Sequence, residues 1–115
     1  GNSQDWRYIS VRRTMTFLEQ SIKLAARAYV YEPNNANTWA ALQSMISSFL
    51  TGVWQEGGLQ GASPAAAFSV RVGLGTTMTS DDLLNGYMRV SVKVAVVHTA
   101  EFIVISFEQQ QAASG

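Results

Sequence analysis

The stretch from Arg12 to Val30 reads RRTMTFLEQSIKLAARAYV, and with the preceding residue it places Val11, Met15, Leu18, Ile22, Ala25 and Tyr29 at alternating spacings of four and three. On a helix that spacing is one continuous apolar stripe. The stripe has to be buried. The opposite side carries Arg12, Thr16, Gln20, Lys23 and Arg27, cations with very little negative charge beside them. At 1.5 Å per residue such a helix runs about 30 Å, enough to hold a domain on one side and meet another body on the other. The pattern suits a part of an assembly better than a catalyst.

Glu32-Pro33 ends this helix, because the residue before a proline is pushed out of the helical region and the proline has no N–H. Asn34 and Asn35 supply a turn. A second helix is predicted over Ala36 to Glu56, capped by Asn35, with Trp39, Leu42, Ile46, Phe49 and Val53 on one face and Met45, Leu50 and Trp54 widening it. Gly57-Gly58 is the stop signal. Two helices joined by so short a turn pack antiparallel, and their apolar faces are too wide for each other alone, so they should also cover a sheet.

The second half of the chain switches to a period of two. Phe68, Val70, Val72 and Leu74 alternate with polar or small residues, and Tyr87 to Val97 carries Met88, Val90, Val92, Val94 and Val96 on one face. Glu101 to Gln109 is the last strand. Here Phe102 and Val104 fall on one side while Ile103, Ile105 and Phe107 fall on the other, so both faces want cover. Central burial would supply it; so would pairing with another chain's sheet edge, the reading preferred here. Ser63-Pro64 opens one short helical turn, and Asp81 and Asp82 open another that Gly86 closes. Trp6, Tyr8 and Ile9 should anchor the chain ahead of Ser10, an N-cap, whereas Gly1 to Asp5 should be a mobile lead-in and the tail QQQAASG should fray. Gly1 has the look of a cleavage scar. The expected fold is α+β, an antiparallel two-helix layer on a small, mostly antiparallel sheet completed by strands of neighbouring subunits. A single domain over 11–109 would lie between the lead-in 1–10 and a flexible tail, 110–115.

Composition narrows the function. A chain of 115 residues is one domain with a real core. It has no cysteine, so disulfides, thiolate metal sites and cysteine nucleophiles are ruled out. Eight Lys plus Arg balance eight Asp plus Glu, which argues against an affinity built on neutralising phosphates, so nucleic acid is not an expected partner. No apolar run is long enough for membrane insertion. His98, with Glu101 nearby, lacks a spaced set of further ligands or an orienting partner, and Asp81-Asp82 is explained by the helix dipole. Gly73-Leu74-Gly75 lacks the third glycine and the βαβ setting of a phosphate loop. No serine has a histidine placed for a triad. No enzyme activity, metal or cofactor is expected. Two features resist a plain structural role: the cationic set Arg12, Lys23 and Arg27, and the doubly apolar last strand.

The run Ile9-Ser10-Val11-Arg12-Arg13, then Glu19, Ile22, Tyr31-Glu32-Pro33-Asn34, Trp39, Phe49-Leu50, Val53-Trp54, Gly58-Leu59, Gly61 and Ala67-Phe68, resembles the C-terminal domain of phage tail sheath proteins. Thr77-Met78-Thr79, Asp82, Gly86 and Ala100-Glu101-Phe102-Ile103 continue the same pattern in order. Gly73 to Gly75 and His98-Thr99 depart from it. The resemblance implies a fragment of a longer polypeptide, a structural subunit of a contractile sheath that surrounds an inner tube and drives it through a target envelope. The implied partners are further sheath copies, the inner tube protein, and baseplate and tail terminator proteins. The implied setting is a virion tail or phage-like particle assembled in the bacterial cytoplasm. It would make Glu101, Phe102, Ile103, Val104, Ile105, Ser106, Phe107 and Glu108 part of an inter-subunit sheet. Arg12, Lys23 and Arg27 would be candidates for the tube contact, by charge alone, with the short helix near Asp81 as a rival. The alternative is a non-enzymatic α+β module that binds a small ligand or homodimerises through its last strand.

Overall fold

The computed structural model describes residues 5–99 and 101–112. Expectations for Gly1 to Gln4, Ala100 and the last three residues of the tail lie outside them. The elements run α1 (Val11–Arg27), α2 (Ala36–Gln55), α3 (Pro64–Ala67), β1 (Phe68–Arg71), α4 (Ser80–Leu84), β2 (Tyr87–Val94) and β3 (Ile103–Gln110). The three strands form one antiparallel sheet in the order β1-β2-β3, and α1 and α2 cover one of its faces. The α+β architecture read from the two periodicities is the observed one.

Ser10 caps α1 by accepting from the Arg13 N–H, and Asn35 caps α2 by accepting from the Thr38 N–H. α2 ends in a Schellman motif: Gly57, at φ 89°, donates to the Trp54 carbonyl, and Gly58 donates to that of Val53. Only glycine adopts that φ without strain. Gly58 has a different constraint, since a Cβ there would sit 2.6 Å from Val53 Cγ1 and 2.8 Å from the Trp6 ring. Trp6 is thus the anchor of the lead-in, 5% exposed, and its ring begins an aromatic run with Phe17 and Phe49 at centroid distances of 6.0 and 5.8 Å. Tyr8 is not part of it; it stands in solvent with the Arg7 guanidinium over its ring.

α1 is shorter than the sequence suggests and rotated about its axis. After Arg27 the chain tightens into three successive i→i+3 bonds, from Ala28, Tyr29 and Val30, the usual way of closing a helix that meets a proline soon after. Its fully buried row is Thr14, Leu18, Ile22 and Ala26, with Met15, Ala25 and Tyr29 half-buried. This i, i+4 row is the side of α1 turned into the core shared with α2 and the sheet, and Gln109 of β3 reaches its last member by donating to the Ala26 carbonyl. Pairing in β1 stops at Arg71 because the chain folds back through Gly73 to Met78, where Thr76, Thr77 and Met78 all donate to the Gly73 carbonyl. Leu74 is left exposed by that turn. β2 supplies the centre of the core with Met88, Val90, Val92 and Val94. Asn34 ties the helix layer to the start of β2, donating to the Tyr87 carbonyl at 2.7 Å while accepting from Trp39 Nε1.

The segment Gln109 to Ala112 is tied to the last turn of α1 and to the residues that follow it. Gln111 is 6% exposed; its Nε2 donates to the carbonyls of Tyr29 and Glu32 at 2.6 and 3.0 Å, and its Oε1 accepts from Gln109 Nε2, which also donates to the Ala26 carbonyl. The two glutamines thus give the Ala26 and Tyr29 carbonyls, each already accepting a backbone N–H, a second donor, and give the Glu32 carbonyl a side-chain donor. The expectation of fraying from residue 110 does not hold for Gln110 to Ala112: Gln110 closes β3, and the Gln111 and Ala112 N–H groups donate to the Gly86 and Val30 carbonyls.

Candidate interaction surfaces

Three surfaces bring the singled-out residues together. The first is the free edge of β3. β2 lies between its two partners, so β3 is an edge strand, and no further strand pairs with it among the described residues. Its outward backbone groups can be identified. Gln111 donates across the sheet to Gly86, so odd-numbered residues of β3 point their N–H and C=O at β2. By alternation, Val104, Ser106, Glu108 and Gln110 point theirs away from the sheet. Ile103, Ile105 and Phe107 turn their side chains to the helix layer, whereas Val104 is 58% exposed. Glu101 and Phe102 precede the strand, both exposed. The strand is held inside its own domain over eight residues, so what it offers a neighbour is an edge.

The second is the cationic side of α1. Arg12, Lys23 and Arg27 are all exposed, and none takes part in an ion pair among the described residues. Arg12 and Arg13 flank a shallow groove of about 360 Å³ floored by Phe17.

The third is the sheet face turned away from the helices. Its cross-strand rows are Ser69–Lys93–Val104, Arg71–Ser91–Ser106 and Arg89–Glu108. The last row is neutralised: Arg89 donates to Asp82 Oδ1 at 3.1 Å and to Glu108 Oε1 at 3.3 Å. Asp82 also completes a capping box with Thr79. The Thr79 backbone N–H, with Arg89 beside it, holds the Asp82 carboxyl below its ordinary value. The structural reading of Asp82 is thereby explained. His98 sits at φ 70° in the exposed turn after β2. Among the described residues no group of three His, Asp or Glu side chains is placed to hold a metal, and no helix is long and apolar enough to cross a membrane.

Against this geometry, the model of the phage tail sheath C-terminal domain matches residues 2–110. The chain is similar to one in the cryo-EM structure of the anti-feeding prophage (AFP) baseplate, 6-fold symmetrised, at 44% identity and a TM-score of 0.75, covering 92% of this chain and 30% of that one. A chain of the extracellular contractile injection system PVC sheath complex in its contracted state is 41% identical with a TM-score of 0.74, over 94% of this chain and 30% of that one. One from the AFP baseplate in its contracted state is 38% identical with a TM-score of 0.73, over 93% and 28%. This chain thus spans less than a third of the length of these solved relatives. Comparison with curated proteins gave no match. The chain belongs to the phage tail sheath C-terminal domain family.

Proposed function

We propose that the chain is the part of a contractile sheath subunit through which neighbouring copies are joined strand to strand around an inner tube. The observation that carries this reading is the open β3 edge, with Val104, Ser106 and Glu108 presenting backbone groups that no strand among the described residues pairs, on the outside of a domain of this family. A strand added there gains one backbone hydrogen bond per outward group, each about 0.5–1.5 kcal/mol net. Such pairing is insensitive to side-chain repacking, so it can persist while the rigid bodies rotate and move outward. Contacts of head-to-tail type between copies generate open helical arrays, the symmetry that a sheath requires.

The cationic set Arg12, Lys23 and Arg27 supports a contact of the opposite kind, toward the inner tube. Exposed ion pairs are worth about 0–1 kcal/mol each and are screened over about 8 Å at physiological salt, so a surface built from them holds in place and still releases. The role is mechanical and not catalytic. Further partners on this reading are baseplate and tail terminator proteins, in a phage-like particle assembled in the bacterial cytoplasm. A small-ligand or plain homodimer module accounts less well for a chain of this family. Negative-stain microscopy of the full-length polypeptide, alone and with its inner tube protein, tests the proposal. Striated hollow cylinders are expected, and discrete small particles in both preparations would refute it.

A further inference from the structure

On the sheet face away from the helices, the charges are not evenly matched. At the end near Tyr87, Arg89 is neutralised by Asp82 and Glu108. At the other end, Lys93 and Arg71 are exposed and take part in no ion pair among the described residues. Beside them stand two exposed apolar side chains, Phe102, whose ring lies 4.8 Å from Lys93 Nζ, and Val104, the cross-strand neighbour of Lys93. Ser69, Arg71, Ser91, Lys93 and Val104 line a groove of about 210 Å³ on this end. It is a cationic and apolar patch that no other element among the described residues covers.

The complement stands on the same molecule. α4 is held rigidly by its capping box and by the bond from Arg89 to Asp82, yet two of its side chains project away from the domain. Asp81 is exposed and in no ion pair among the described residues, and Leu84, three positions on, is 84% exposed. An i, i+3 pair sits on one side of a helix about 5–6 Å apart, and a directly opposed cross-strand pair such as Lys93 and Val104 is about 5 Å apart. Acid beside leucine thus matches cation beside valine in both sign and spacing. The two patches cannot meet within one chain. α4 packs at the Arg89 end of β2, and Lys93 lies four residues further along the strand, about 13 Å away.

We infer that α4 of one copy docks on the Arg71–Lys93–Val104 patch of the next, Asp81 pairing with Lys93 and Leu84 covering Val104 and Phe102. The contact is heterologous, with donor and acceptor at opposite ends of one sheet face, so each copy uses both at once and the same step repeats. It adds a side-chain contact to the strand pairing proposed above and rests on that reading of the chain as a self-assembling subunit. Net charge does not drive it, since the chain's formal charge is zero; local complementarity does.

Two single substitutions in the full-length polypeptide test this inference, because both sites are exposed and outside the core. Asp81→Lys alone and Lys93→Glu alone should each raise the concentration needed for assembly, read by sedimentation, about tenfold, with cooperative thermal unfolding retained; Asp81→Lys also loses the dipole contribution of about 0.3–1 kcal/mol. The chain carrying both exchanges should recover. So should an equimolar mixture of the two single variants, in which every junction again joins opposite charges. If both single variants assemble like the parent, the contact is overturned and the sheath reading stands. If the mixture and the double variant fail to recover, the residues serve something other than a copy of this chain, and loss of inner tube binding by Lys93→Glu would identify the tube as that occupant. If the parent forms only small oligomers, the sheath reading fails, while recovery of the oligomer in the mixture still supports the contact and its absence overturns it.

Discussion

Gln111→Ala should be among the more damaging substitutions at a polar position of this chain. The side chain is 6% exposed and takes part in three hydrogen bonds, two donated to the Tyr29 and Glu32 carbonyls and one accepted from Gln109 Nε2. At about 1 kcal/mol net for each bond, removing them costs about 3 kcal/mol, with a range of about 1.5–4.5 kcal/mol. The backbone bonds from Gln111 to Gly86 and from Ala112 to Val30 remain, so the effect is one of stability and not of lost topology. Urea unfolding followed by circular dichroism measures it. With an m-value of about 2 kcal/mol/M, the midpoint should fall by about 1.5 M at unchanged m. Gln110→Ala, one residue away but exposed, should shift it by less than about 0.25 M. Equal, small shifts for both would refute the reasoning and mean that the Gln111 side chain contributes nothing to the domain's stability.

Other consequences are as specific. Gly58→Ala forces a Cβ into Val53 and the Trp6 ring and should cost about 1–3 kcal/mol, with a red-shifted tryptophan emission as Trp6 is displaced; an unchanged spectrum and midpoint would contradict the packing. Because the Asp82 carboxyl is held below its ordinary value near 3.8, its contribution is complete above that value and disappears as pH falls through the lower folded value. The stability gap between the parent and Asp82→Asn should therefore be constant at neutral pH and close on the acid side, and a gap that persists in strong acid would point to another cause. Changing Arg12, Lys23 and Arg27 together to Glu should leave folding intact and weaken co-purification with the inner tube protein, most clearly at low salt. Undiminished recovery of the tube would remove that surface from the account.

Much of this architecture can be read from periodicity alone. The change from spacings of three and four to spacings of two separates the helix layer from the sheet, and the caps at Ser10, Asn35 and Thr79 obey local chemistry. What escapes a sequence reading are features set by partners distant along the chain. Thr14 and Ala26 look too small or too polar to define a core face, yet both are fully buried at the ends of the row that Leu18 and Ile22 complete. Gln111 looks like part of a solvated tail until the carbonyls of Tyr29 and Glu32, about 80 positions earlier, are placed beside it. The last strand is legible as an anomaly, since both of its faces are apolar. The structure resolves half of that anomaly: Ile105 goes into the core while Val104 stays open. The patch around Lys93 is invisible in the sequence, because Arg71, Lys93 and Val104 come from three strands and become neighbours only through the register.

The central claim is that copies are joined through the β3 edge, and one substitution reaches it directly. Ser106 points its N–H away from β2, so Ser106→Pro removes a donor from the free edge and spares the β2–β3 ladder, a position where proline is tolerated. Ser106→Ala keeps the donor. Electron microscopy of the two full-length variants, with thermal melts to verify folding, should show striated cylinders for the alanine variant and none for the proline variant. Cylinders formed as readily by a folded proline variant would contradict strand addition at this edge.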